Sequence, residues 1–149
     1  MKIVKSDDNV ILFISKDLIN FNIFIKDEIE NFIKKILLKM KKRRFKISGF
    51  YKVKVYQNSN YGLIVEMKKE DELDFFPDLI DLKLVIFYDS EIYFKVSDYF
   101  LVERYDDKKR IGDYWYVNVN CLKNNDIYKL IEFSEVIYGE AKDRLLKYS

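Results

Sequence analysis

The sequence contains no histidine, one cysteine, one proline and four glycines in 149 residues. Without histidine the chain has no side chain whose ordinary pKa lies near neutrality, and no member of the commonest class of metal ligand. A Ser-His-Asp or Cys-His catalytic arrangement is excluded. One cysteine without histidine cannot complete a structural zinc site, and Cys121 has no partner for an intramolecular disulfide. There is neither a Walker A loop nor a GxGxxG turn. No apolar run approaches the roughly 18 residues needed to span a bilayer, and the first long apolar stretch, residues 10–14, is too short for a signal-peptide core. These absences lead us to expect a cytoplasmic, non-catalytic chain with no cofactor and no bound metal.

What is present describes a globular chain. Hydrophobic residues make up 49% and charged residues 35% of the sequence, and the net charge is +2. That near balance is no argument for a polyanionic partner. The length suits one domain, residues 1–149, with a subdomain junction expected near residues 70–81, where the only proline, Pro77, lies.

The periodicity predicts an α+β fold. Residues 2–4 and 10–15 read as short strands joined by a polar turn. A helix is expected over residues 26–44, where Ile29, Phe32, Ile33, Ile36, Leu37 and Met40 recur on one face. Its acidic start and basic end suit the helix dipole. We expect Phe32, Ile33, Ile36 and Leu37 to be buried against a sheet. Alternation then takes over. Tyr51, Val53 and Val55 form one arm of a hairpin, and Leu63, Val65 and Met67 the other. A second hairpin is expected between residues 82–86 and 92–96, turning at Asp89-Ser90. A third pair is expected between residues 99–104 and 114–120. The C-terminal part reads as a helix with Ile127, Leu130 and Ile131 inward and Gly139 as its stop, then a tail helix over residues 140–148. Consecutive hairpins point to a mostly antiparallel sheet of six to eight strands, with one long helix in the N-terminal half and one or two C-terminal helices.

Three features bear on function. The segment KKILLKMKKRRFK, residues 34–46, includes Lys41, Lys42, Arg43, Arg44 and Lys46. It is either a solvated helix end or a phosphate grip, with Phe45, Phe50 or Tyr51 available for stacking; an anionic membrane or an acidic protein are further partners for it. The acidic stretch Glu70, Asp71, Glu72, Asp74, Asp78 and Asp81 is either an exposed loop or a set of oxygen ligands for magnesium. Within it, Phe75 and Phe76 either plug the core or present a docking knob.

The third feature is aromatic content: 12 tyrosines, 12 phenylalanines and one tryptophan. In Tyr114-Trp115-Tyr116, strand alternation places Trp115 on one sheet face and the tyrosines on the other. Large side chains stand on both faces of several strands, more than the helical segments can cover. A second layer, a second copy of the chain or a protein partner must cover the remainder. We therefore expect a protein-interaction or regulatory domain binding through Phe75, Phe76, Tyr114, Trp115 and Tyr116. Nucleic-acid binding through residues 34–46 is the alternative, and a carboxylate–magnesium enzyme the third reading.

The order of pieces resembles MecA-type adaptor proteins, which bring substrates to a Clp-family chaperone–protease. The opening strand pair, the helix from Lys26, the hairpin YKVKVYQNSNYGLIVEMKK and the closing stretch IYKLIEFSEVIYGEAKDRLLKY carry the likeness. It implies a bacterial adaptor role. The chain departs from that pattern in having no clear linker between target-binding and protease-binding halves.

Overall fold

The computed structural model describes residues 1–6, 9–42, 49–71 and 80–147, the side chains of residues 41, 42 and 71 excepted. The fold is α+β and dominated by antiparallel pairing, as the periodicity predicts. Among the described residues there are nine strands and three α-helices, and the strands are shared between a five-stranded and a four-stranded sheet. The chain forms two compact units. One comprises Met1–Gln57 and Gly62–Tyr88, the other Asn58–Tyr61 and Asp89–Ser149.

In the first unit the strands are β1 (Lys2–Ser6), β2 (Asn9–Ser15), β3 (Gly49–Asn58), β4 (Gly62–Asp71) and β5 (Ile80–Phe87), in the order β1-β2-β4-β3-β5. Helix α1 spans Lys26–Lys42. The chain enters it through a tight local network. Asn22 accepts the Phe24 N–H at 2.9 Å through its side chain, and its own N–H donates to the Glu28 carboxylate at 3.0 Å. Asp27 and Glu28 sit in the first turn, where the dipole favours negative charge. Ile29, Ile33, Ile36, Leu37 and Met40 are buried on one face of α1. They join Val10, Leu12 and Ile14 of β2, Tyr51, Val53 and Val55 of β3, Leu63, Val65 and Met67 of β4, and Leu82 and Leu84 of β5 in one core. Burying each large aliphatic side chain of this set contributes roughly 1.5–3 kcal/mol. Phe32 departs from expectation. It stands at the margin of the helical stripe, half-buried, with its ring 4.8 Å from that of Phe21.

The return from β3 to β4 depends on Gly62. Its φ is +126°, and a Cβ there would lie 2.3 Å from the Ile14 carbonyl oxygen on β2. Any other residue would collide with the neighbouring backbone.

The expected second hairpin does not form. β5 pairs parallel with β3, Tyr51 opposite Leu82 and Val53 opposite Leu84. Alternation along residues 80–87 identifies a strand and its buried face, but the same alternation serves a parallel or an antiparallel neighbour. Residues 93–96 form β6 (Tyr93–Val96) in the other sheet.

The second unit contains β6, β7 (Lys109–Ile111), β8 (Tyr114–Asn118) and β9 (Glu135–Ile137), ordered β7-β8-β6-β9. Phe94 of β6 faces Val117 of β8 and Val136 of β9. Phe94, Val96, Val117, Ile92 and Val119 are buried, as are Ile127 and Leu130 of α2 (Asn124–Leu130). β7 and β8 join through Gly112-Asp113. Gly112 has φ +62° at the first central position, as a two-residue turn of this hand requires.

Two further expectations are corrected here. Residues 99–101 form a 3-10 turn instead of a strand, because the Asp98 side chain accepts the Phe100 N–H at 3.0 Å and starts a helical turn. β8 therefore takes β7 and β6 as neighbours. The C-terminal helix stops at Leu130, well before Gly139. Residues 135–137 add β9 to the sheet edge, and Gly139, with φ +57°, opens α3 (Gly139–Leu146), the expected tail helix.

Candidate functional site

The sequence-predicted residues fall in three places. Phe75, Phe76, Glu72, Asp74, Asp78, Arg43, Arg44 and Lys46 lie outside the described residues, as do the side chains of Lys41, Lys42 and Asp71. Glu70 and Asp81 sit on the first unit's sheet and line a shallow recess with Phe50, Lys52 and Lys83. Glu70 ion-pairs with Lys52 at 3.8 Å. Among the described residues no three carboxylate or cysteine groups gather closely enough to hold a metal ion, and no helix is long and apolar enough to cross a membrane.

Tyr114, Trp115 and Tyr116 lie side by side on β8 but in different environments. Tyr116 is buried at 8% exposure, which removes it from the accessible surface. Tyr114 is exposed and stacks under a cation, with Lys95 Nζ 4.1 Å from its ring centroid. Lys95 also pairs with Glu135 at 3.6 Å on the same sheet face. Trp115 is half-buried on the opposite face. Its ring lies 5.1 Å from that of Tyr99 and 5.9 Å from the Arg110 guanidinium. Tyr99 in turn lies 6.3 Å from Phe100 and under Lys108 Nζ at 5.8 Å. Trp115, Tyr99 and Phe100 thus form a continuous aromatic row with a cation against each of the first two.

The row ends at a groove of about 600 Å³ between the 3-10 turn and α2. Leu101 and Leu130 lie among its apolar lining, and Phe100 and Phe133 flank it. Phe100 is 82% exposed and Phe133 62% exposed. Both walls are held from below. Val102 and Leu130 are buried anchors. Val102 N–H donates to Tyr99 O at 3.0 Å, and Phe133 N–H donates to Leu130 O at 3.0 Å. Arg104, on the first wall, ion-pairs with Asp126 of α2 and donates to the Tyr105 hydroxyl at 3.0 Å. The Tyr105 hydrogen bond, followed by the Tyr105 and Asp126 charges, raises the Arg104 pKa further. Burial, chiefly, raises that of Tyr105. Both groups keep one protonation state across the physiological range.

Of the residues expected from sequence, Trp115 joins the aromatic row and Tyr114 stands on the other sheet face; Tyr99, Phe100 and Phe133 are not among those expected. A strand assignment over residues 99–104 hid the first two, since it would turn them to opposite faces. Phe133 was hidden by a helix drawn through to Gly139. Cys121 is a free, exposed cysteine. Slight desolvation of the thiol, then Asp107, pushes its pKa up.

No family model, no curated protein and no solved structure matches the chain.

Proposed function

We propose that the chain is a protein-interaction domain whose docking surface is the aromatic row and groove of the second unit. The carrying observation is the exposure of Phe100 and Phe133 on either side of an apolar recess. A large apolar side chain left in water forgoes roughly 1.5–3 kcal/mol of burial, and two of them framing one recess describe a surface that a partner covers. Their supports are tied to the core by buried Val102 and Leu130, which lowers the ordering cost of binding. Aromatic anchors with cations at the margin are the usual composition of binding hot spots.

A photoreactive phenylalanine at position 100 tests this in cells. The expected result is a discrete crosslinked species that Phe133→Asp abolishes and that the same probe at exposed Leu38 on α1 does not give. Identical products from both positions, or none from position 100, would overturn the reading. A Clp-family ATPase as the captured species would mark the adaptor role that the MecA resemblance implies. Co-purified nucleic acid lost on charge reversal of Lys42, Arg43 and Arg44 would favour the nucleic-acid alternative.

A further inference from the structure

The groove's charge points to the chemistry of its occupant. The second unit as a whole carries more acidic than basic residues, yet along the groove and the aromatic row four cations stand against the carboxylates of Glu103 and Asp126. Arg104 and Lys129 line the groove, and Lys108 and Arg110 cover the aromatic row leading into it. Asp126 is already held by Arg104. Lys129, in the last turn of α2, makes no ion pair among the described residues. Glu103 is the acidic side chain that lines the groove beside them.

Resting on the interaction reading above, we infer that the groove takes an acidic segment of another protein, bulky apolar side chains entering between Phe100 and Phe133 and a neighbouring carboxylate meeting Lys129. The apolar pair fits side chains better than nucleobases. Leu101 and Leu130 make the floor between the two rings aliphatic, which suits a branched or aromatic side chain. Trp115 is already engaged by Tyr99 and Arg110. An exposed rim cation raises the encounter rate with an acidic partner and rejects basic ones.

Fluorescence anisotropy with the purified full chain tests this. The probe is a fluorescein-labelled synthetic peptide in which phenylalanine and leucine alternate with glutamate. Binding is expected, weakened at least about tenfold by Phe100→Ala and by Lys129→Glu, and weakened by salt. The same peptide with lysine in place of glutamate should bind at least about tenfold less tightly. Equal binding of the two peptides, or no effect of Lys129→Glu, overturns the acidic occupant. So does tighter binding of labelled oligouridylate, which assigns the surface to nucleic acid. So does concentration-dependent light scattering abolished by Phe100→Ala, which assigns it to a second copy. Both substituted residues are exposed, and unchanged urea midpoints confirm intact folding. If the acidic peptide fails while the crosslink at position 100 persists, the docking surface stands and only its charge preference falls.

Discussion

Asn58 and Asn120 meet through their side chains, Nδ2 of the first donating to Oδ1 of the second at 3.1 Å. The contact belongs to a chain of asparagines. Asn58 also donates to Ser90 O at 2.9 Å, and its Oδ1 accepts the N–H groups of Asn60 and Tyr61, both at 2.9 Å. Asn60 donates to Val119 O at 3.2 Å, and Asn118 accepts the Asn120 N–H at 2.9 Å. Asn58 is 2% exposed, and its amide is used as donor and acceptor at once.

Asn58→Asp should therefore be more damaging than its size suggests. It removes the donor and sets a carboxylate against the Ser90 carbonyl and Asn120 Oδ1. We expect a loss above about 3 kcal/mol at neutral pH, larger than for Asn58→Ala. The gap should narrow below pH ~4, where protonation restores a donor. Urea titrations of both variants at the two pH values check this, and equal losses at neutral pH would contradict it.

Tyr61 supplies a pH dependence. Burial pushes its phenol from 10.0 up to about 12. The hydroxyl is neutral in both states below pH 10, so its contribution is fully present there. As pH rises from 10 toward 12 the unfolded state ionises first and stability falls, by about 1.4 kcal/mol per unit of pKa difference. Tyr61→Phe should reduce the slope of stability against pH in that window. An unchanged slope would assign the decline to other groups, such as Tyr93, whose pKa burial also raises.

Two phenylalanines separate stability from binding. Phe94 is fully buried, edge-on to Tyr61 at 6.1 Å. Phe94→Ala should cost ~3–5 kcal/mol. Phe100→Ala should change stability by less than about 0.5 kcal/mol while abolishing the crosslink that a photoprobe placed at position 133 should give. A large stability loss at Phe100 would make it a packing residue.

Helix α1 offers the same contrast. Ile33 is fully buried and Leu38 is 47% exposed. Ile33→Ala is expected to cost ~2–5 kcal/mol, Leu38→Ala about 0.5 kcal/mol or less, measured by denaturant midpoints. Phe32→Ala should fall between them, because its ring rests on Phe21 at the margin of the core.

The legible parts of the fold were those written in local period. Ile29 through Met40 fixed α1, and Tyr51–Val55 against Leu63–Met67 fixed the central strands, because burial of one face repeats every 3.6 or 2 residues. Strand partners were not legible. Nothing in residues 80–87 specifies pairing with β3, since both orientations bury Leu82 and Leu84 alike. The candidate groove was only half visible. Trp115 was conspicuous by type, but Phe100 and Phe133 owe their placement to a 3-10 turn capped by Asp98 and to the early end of α2, each decided by a few local hydrogen bonds.

The asparagine chain also sets an order of events during synthesis. The turn carrying Asn58 leaves the ribosome 62 residues ahead of Asn120. At roughly 5–20 residues per second, its side chain waits on the order of 3–12 seconds for that acceptor. The strands β3 and β4 that flank the turn can pair in microseconds. During the wait water and the local N–H groups of Asn60 and Tyr61 serve the Asn58 amide, and the contacts that the turn makes within the second unit form only when Val119 and Asn120 emerge.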